Sequence, residues 1–399
     1  MASRSSVNVS YLRTLNQRRI LDTIERCEVT SRTELAQSLS MSKPAISDNL
    51  AKLIEMGLVE EERDDVSAAG SGRKPILLRF NKNNKYIIAI DLNNTNLLFV
   101  MTNLKYEIIQ EFEIKISSSA SVEAYLPILF NGISLLMNSS GCPKESILCI
   151  AVASPGVFNE QSELCAYNAK GSGAYWCQID LKKVLSERFS LPVIIRNDIK
   201  AATLGEWCMG TSCENDDMMY IGCGIGLGIG IVLGGQLYES QRHNAGEIYN
   251  YTDRDKLRQG LTLESTICME PLIERVKRGI EAGNVSMLSD RADSIGFPDI
   301  VEAYKAKDPY IIELICDVAD DINILIFNTV NLLSIETVVL GGDYIVFSET
   351  IFEEFEKKFK PLCHYPPRLI LPGMGKYSGV VGMAYLAKKC YLDDICNAD

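Results

Sequence analysis

Five glycines, Gly222, Gly224, Gly226, Gly228 and Gly230, alternate through one segment of the chain. A glycine-rich turn after a strand lets backbone N–H groups approach phosphate oxygens closely. Tight strand packing selects the same residue, and no Gly-Lys-Ser/Thr follows to complete a Walker loop. A second group of chemically capable side chains lies near the start. Ser42, Lys43, Ser47 and Lys52 share the polar side of one helical pattern, and Arg73 and Lys74 stand in the tip Gly72-Arg73-Lys74-Pro75. Short polar and basic side chains on a helix can follow base edges and phosphates in a major groove. An arginine on a tip can enter a narrow minor groove.

Those side chains need a frame. Leu12, Leu15, Ile20, Leu21 and Ile24 mark an apolar stripe on a first helix. Ser31 stands three residues before Glu34, the spacing of a capping box, and opens TELAQSLS. Ser42 precedes Lys43-Pro44, and proline suits a first helical turn. The third helix runs to about Met56, puts Ile46, Leu50, Leu53 and Ile54 on one face and ends at Gly57. LVEEERDD and RKPILLRF then read as two strands around a glycine-rich tip. Three helices and a hairpin make a winged helix-turn-helix, with a second helix at about 32–39 bracing the third in the groove. A protein-interaction module with a solvated polar face is the plainer alternative. Helix spacing, wing and basic tip together favour double-stranded DNA. Asp48 and the acidic run 60–62 sit awkwardly near phosphate, which implies modest affinity per module and hence a dimer.

The chain has 399 residues, 47% of them apolar, 23% charged and 8% aromatic. That excludes wholesale disorder and permits two or three domains with large cores. No apolar run approaches the roughly 18 residues of a membrane helix. The start, MASRSSVNVSYLRTLNQRR, lacks the apolar core of a secretory signal. A cytoplasmic protein with no membrane partner is expected. The 13 cysteines are scattered, odd in number and without a C-x-x-C pair. They point to reduced, mostly buried thiols rather than a disulfide scaffold or a zinc knuckle. The net charge of −12 divides unevenly: residues 1–80 carry 12 Lys/Arg against 11 Asp/Glu, and residues 81–399 carry 28 against 41. Such asymmetry suggests two jobs on one chain.

From Lys85 strands alternate with helices. KYIIAIDLNNTNLLFVMTNL reads as strand, polar turn, strand, and MMYIGCGIGLGIGIVLGGQLYES repeats the shape more than a hundred residues later. Two such units suggest an internally duplicated α/β protein with a cleft between lobes. Further strands are expected at 146–153, 193–196, 337–340 and 368–371, with helices at AATLGEW and 310–333.

These pieces, in their order and spacing, resemble the ROK family of sugar-responsive repressors and sugar kinases, on the repressor side. The resemblance spans nearly the full length. It rests on the helix-turn-helix with its wing, DLNNTN (91–96), SPGV (154–157), NDIKAATLGE (197–206), GCGIGLGIGIVLGGQLYES (222–240), AGEIYN (245–250), CME (268–270) and LGGD (340–343). It implies a two-lobed fold similar to actin and the sugar kinases, of ribonuclease H-like lobes, with a sugar between them. By position, Asn197 and Asp198 look like the family's sugar-contacting pair, and Glu247 and Glu270 match two further hydroxyl-binding carboxylates. In the kinase members the aspartate takes the proton from the hydroxyl being phosphorylated. Adjacent hydroxyls suit short carboxylates and amides, which would be costly if buried without partners.

The departures from the family matter as much. Its first phosphate motif, D-x-G-x-T, is here Asp91, Asn93 and Thr95, and Asn93 puts a side chain where the phosphate chain would approach. Its second motif, G-T-G, is Gly222, Cys223 and Gly224, and a thiol is the poorer donor. The family's zinc pattern is a histidine followed by C-x-C-G-x-x-G-C-x-E. This chain has Asn250, Leu261 and Leu263 at the first three ligand positions and only Cys268 at the fourth. Its two histidines, His243 and His364, stand elsewhere. Tetrahedral structural zinc needs four donors, so no metal and no cofactor is expected, with leucine packing in its place. Asn250 also replaces a histidine that steadies the sugar in the family, so effector affinity or identity would differ.

The expected architecture is α/β: a winged helix-turn-helix at 1–80, a first lobe at 81–198 and a second at 199–399, with the C-terminal helix packing back on the first lobe. The expected function is a homodimeric, sugar-responsive transcriptional repressor released from its operator by a sugar in the cleft. It is not an enzyme on this reading. A ROK-type sugar kinase carrying a DNA-binding module is the alternative, and a constitutive DNA-binding protein with a relic cleft is a third.

Overall fold

The computed structural model describes residues 9–63, 76–93, 96–116, 122–158, 165–167, 179–210, 217–241 and 244–397. The chain opens with α1 (Val9–Cys27), β1 (Thr30–Ser31), α2 (Arg32–Ser38), α3 (Lys43–Glu55), β2 (Val59–Arg63) and β3 (Ile76–Phe80). β3 lies between β1 and β2, antiparallel to both. Local sequence explains the helix starts. Ser31 Oγ accepts from Glu34 N (3.3 Å) while Glu34 Oε2 accepts from Ser31 N (2.8 Å), a complete capping box. Ser42 Oγ accepts from Ala45 N, and Pro44 sits in the first turn of α3. Ile20, Leu21, Ile24, Leu35, Ile46, Leu50 and Leu53 close the small core. The expected stripe on α1 is only partly a core face: Leu12 and Leu15 are 48% and 41% exposed, because this core covers just the second half of the helix. The tip with Arg73 and Lys74 lies outside the described residues.

The next elements are β4 (Tyr86–Leu92), β5 (Asn96–Asn103), β6 (Ile108–Lys115), α4 (Val122–Ser139), β7 (Ile147–Ser154), β8 (Val157–Phe158), β9 (Cys165–Tyr167), α5 (Leu181–Phe189), β10 (Val193–Asn197) and α6 (Asp198–Met209). After them come β11 (Met218–Cys223), β12 (Leu227–Leu233), β13 (Gln236–Leu237), α7 (Arg254–Gln259), α8 (Glu264–Ile267), α9 (Met269–Glu281), α10 (Phe297–Lys305) and α11 (Pro309–Leu333). β14 (Thr337–Gly341), α12 (Ser348–Glu354), β15 (Arg368–Ile370) and α13 (Ser378–Asn397) end the chain.

Two five-stranded sheets emerge, ordered β6-β5-β4-β7-β10 and β13-β12-β11-β14-β15. In each, three strands form an antiparallel meander and two more add in parallel beside the first. The repeated strand–turn–strand units are therefore halves of a duplicated α/β body, as the sequence implies. The central parallel strands β7, β11 and β14 are almost wholly buried, which is why they read as continuous apolar runs. α4 and α5 seal one face of the first sheet through Leu129, Ile133, Leu185 and Phe189. α11 buries Ile311, Ile315, Val318, Ile322 and Ile326 beneath the second sheet.

Two helices tie the lobes together. α6 packs on β11 and β12 of the second sheet through Ala202, while α13 packs on β4 and β7 of the first through Val380, Met383 and Ala384. They cross closely because glycine stands at the contact. A Cβ at Gly205 would lie 1.9 Å from Ser378 O, and one at Gly382 1.8 Å from Ala201 O. Buried Glu206 fixes the crossing by accepting from Gly373 N (2.8 Å), Met374 N (3.0 Å) and Ser378 Oγ (2.6 Å) at the start of α13.

The other side of α13 receives α1. Lys388 is 5% exposed and donates to Glu25 Oε1 at 2.5 Å, with its ammonium over the rings of Phe80 (5.0 Å) and Tyr106 (5.1 Å). Arg18 approaches Asp393 at 3.8 Å. Burial lowers the Lys388 pKa, and Glu25 opposes that shift. The helix-turn-helix is thus joined to the two-lobed body by an ion pair whose lysine is buried and by a shared apolar core.

Candidate functional site

The candidate sugar site is built from strand ends and helix starts. β10 delivers Asn197 and α6 begins with Asp198. Asn197 caps the helix: its Oδ1 accepts from Lys200 N (3.0 Å), and its Nδ2 donates to Gly156 O (3.0 Å), pinning the SPGV turn. Much of its capacity is therefore spent on structure. Asp198 Oδ1 accepts from Ile199 N at 2.9 Å. Burial raises its pKa, and that hydrogen bond partly offsets the rise. Asp91, near the end of β4, is pushed up to about 7 by burial and then by the charge of Asp198. Glu247 is likewise pushed up to about 7, first by burial and then by Asp198, while Lys200 counters.

The turn holding Glu247 is fixed by Gly246. Its φ is +84°, and a Cβ there would lie 1.8 Å from Ile229 O. Its carbonyl accepts from Ile229 N at 3.0 Å, docking the turn on β12. Asp91, Asp198 and Glu247 thus form one group of partly desolvated carboxylates. Glu264, the first residue of α8, joins them: its charge raises the Glu247 pKa, and burial raises its own. No motif position pointed to it. Glu270 is exposed in the first turn of α9, where Met269 N bonds Gly224 O (2.8 Å) beside the second glycine turn. Asn250 is exposed in a turn after the Glu247 segment. The structure thus couples Asp91, Asp198, Glu247 and Glu264, while Glu270 and Asn250 stand exposed at their own turns.

The described residues of the two phosphate-type turns are placed as follows. Asn93 is exposed directly after β4, and Thr95 lies outside the described residues. Gly222 and Cys223 end β11, and Gly224 N donates to Gly226 O at 3.0 Å, closing the turn on itself. Cys223 is 1% exposed in the second-lobe core, and burial pushes its thiol far up. It presents no group to a ligand above the turn. The positions that the family resemblance assigns to metal ligands lie apart in character. Asn250 is exposed, Leu261 has no donor, and Leu263 and Cys268 are buried in the core with Ile267 and Leu272. Leu263 N bonds Tyr251 O (2.7 Å), so packing and backbone hydrogen bonds hold this loop.

On the helix-turn-helix, Lys43, Ser47 and Asp48 are exposed along α3, opposite buried Ile46, Asn49, Leu50 and Leu53. Ser42 is exposed but already serves as the helix cap, and Lys52 is half-buried in the last turn. Two carboxylates of the acidic run face cations of the same module. Glu61 pairs with Arg32, and Glu62 with Arg79 at 2.7 Å. That softens the repulsion expected toward phosphate.

A winged helix-turn-helix DNA-binding sequence model matches residues 13–60, and the ROK family model matches residues 87–390. The chain belongs to the ROK family. Among ROK relatives, it is 27% identical over 369 residues to a xylose repressor of Caldicellulosiruptor bescii, covering 88% of each chain. A crystal structure described as a ROK family transcriptional regulator, homologous to the E. coli MLC protein, superposes with a TM-score of 0.77. The identity is 23%, and 97% of this chain and 98% of that one are covered. A ROK glucokinase from Streptomyces griseus, in complex with glucose and AMPPNP, superposes at 0.64 with 20% identity. It covers 76% of this chain and 99% of its own. The ROK kinase match thus leaves a quarter of this chain aside, whereas the regulator match spans nearly all of it.

Proposed function

We propose that the chain is a sugar-responsive transcriptional repressor of carbohydrate-utilisation genes, acting as a homodimer on operator DNA. The observation that carries this reading is physical continuity between reader and sensor. α6, which begins at Asp198 in the cleft, crosses α13 through Gly205 and Gly382, and α13 holds α1 of the helix-turn-helix through Lys388 and Glu25. A sugar that closes the lobes shifts α6 against α13, and the shift reaches the winged helix. A hundredfold regulation needs roughly 3 kcal/mol of coupling.

The relatives bearing the name xylose repressor make xylose the first sugar to test, with glucose and N-acetylglucosamine beside it. A sugar that binds at a hundred times its Kd stabilises the folded state by about 2.7 kcal/mol, which a thermal-shift panel detects. A panel in which no sugar raises the Tm contradicts the sensor reading. Asp198 at a helix start favours a kinase as second reading. The buried Cys223 thiol and Asn93 weigh against phosphoryl transfer.

Two tests belong to this reading. The double variant Glu25→Gln/Lys388→Met keeps the volume of the buried pair and removes its charges. It is expected to bind sugar and operator normally while needing at least about tenfold more sugar for release. Release at the wild-type sugar concentration would exclude this route. We also propose that the loop around Cys268 holds no zinc. Metal analysis should find less than stoichiometric zinc, and a chelator should leave the Tm unchanged. A Tm that falls on chelation would refute the leucine-packed loop.

A further inference from the structure

Behind the sugar cleft lies a cavity of about 140 Å³ between α6, α13, the end of β10 and the β13 hairpin. Its charged lining is unusual for a chain of net charge −12: Arg196, Lys200 and Lys389 against the single carboxylate of Glu239. Lys200 is only 6% exposed, and Glu239 stands 4.0 Å from it. Trp207 and Tyr385 form an aromatic wall, their rings meeting edge-on at 5.9 Å. The Trp207 indole N–H is buried and has no hydrogen-bond partner. None of the described residues of the two phosphate-type turns lines this cavity.

We propose that this cavity binds a small organic phosphate as a second effector, at a site distinct from that of the sugar. A phosphate dianion offers oxygens on several sides, which three cationic side chains can engage at once. The planar arginine fork suits phosphate geometry in particular. A short organic body would lie against Trp207 and Tyr385, where the shape is apolar and flat. The location makes such a ligand regulatory. Tyr385 and Lys389 flank Lys388 on α13, and Arg18 and Asp22 of α1 lie within electrostatic reach of the Tyr385 hydroxyl. A bound anion would therefore bias the same α13–α1 contact that the sugar acts on.

The chain has two tryptophans, Trp176 and Trp207, so intrinsic fluorescence reports on this cavity. Full-length protein is titrated with inorganic phosphate, glycerol 3-phosphate, citrate and glycerol. Both phosphates are expected to give a saturable emission change at millimolar concentration or below, glycerol 3-phosphate the tighter, and glycerol none. Trp207→Phe should lose the emission change but keep a phosphate-induced rise in Tm. Arg196→Gln/Lys389→Gln should weaken phosphate binding at least about tenfold without altering sugar-induced stabilisation. Lys389→Gln alone changes an exposed residue and should weaken it in the same direction. Phosphate affinity unchanged in these variants would overturn the proposal, as would citrate binding without phosphate binding, or the absence of any saturable change.

Discussion

Lys43→Glu combined with Ser47→Glu is expected to lower operator affinity at least about a hundredfold, while sugar binding and folding stay intact. Both residues are exposed on α3, away from its buried face of Ile46, Leu50 and Leu53, so neither change touches the core. A helix in a major groove meets phosphates and bases through such a face, and removing one of those interactions costs roughly 1–3 kcal/mol. Two of them replaced by repulsion thus exceed the roughly 2.7 kcal/mol that a hundredfold requires. The slope of affinity against salt should also become shallower by about one for each phosphate that is no longer neutralised. Ser42→Ala behaves differently: it removes the cap of α3 and costs about 1 kcal/mol of stability rather than specificity. Anisotropy titrations over a range of salt concentrations separate these effects. Unchanged operator affinity in the double variant would show that another surface reads the DNA.

Asp198→Ala is expected to weaken effector binding about ten- to hundredfold, because a hydroxyl–carboxylate hydrogen bond is worth roughly 1.5–3 kcal/mol. Asp198→Asn keeps the shape and one acceptor, so its effect is smaller. Both variants should bind operator as tightly as the wild type and resist release by sugar. Glu247→Gln should follow the same pattern. The cleft carboxylates give a pH signature too. Burial and the charge of Asp198 push Glu247 up to about 7 without sugar. A sugar hydroxyl donating to Glu247 favours its ionised form and so pulls that value down. Binding then releases protons, and sugar affinity rises as pH increases through 7. Affinity that falls over that interval would mean the sugar meets protonated carboxyls. A kinase would show a different mutational split: Asp198→Asn would abolish turnover and leave sugar-induced release untouched.

Local and periodic features were legible in the sequence. Ser31 with Glu34 and Ser42 with Pro44 announce two helix starts, because capping is decided within four residues. The apolar runs around 86–103 and 218–233 announce paired strands, and their likeness announces the duplication. What folding alone brings together was not legible. Glu264 reaches Glu247 only because α8 folds back beside the 245–250 turn. Lys388 and Glu25 are 363 residues apart, and nothing in either segment names the other. The stripe on α1 looked uniform, yet Leu12 and Leu15 are exposed because periodicity reports a face and not the length of what covers it. Cys223 read as a weak substitute for a phosphate-facing hydroxyl. Its burial in the second-lobe core is a property of packing that the residue type does not reveal.

On the repressor reading, one sugar in the cleft loosens the winged helix from DNA without being phosphorylated. The most direct test of that reading is a gel-shift titration of the operator complex with xylose, glucose and N-acetylglucosamine, run beside an ATP-consumption assay on the same protein. One sugar is expected to release the operator, Asp198→Ala to raise the concentration needed at least about tenfold, and ATP to remain unconsumed. Steady phosphorylation of the sugar, stopped by Asp198→Asn with release unaltered, would contradict the claim.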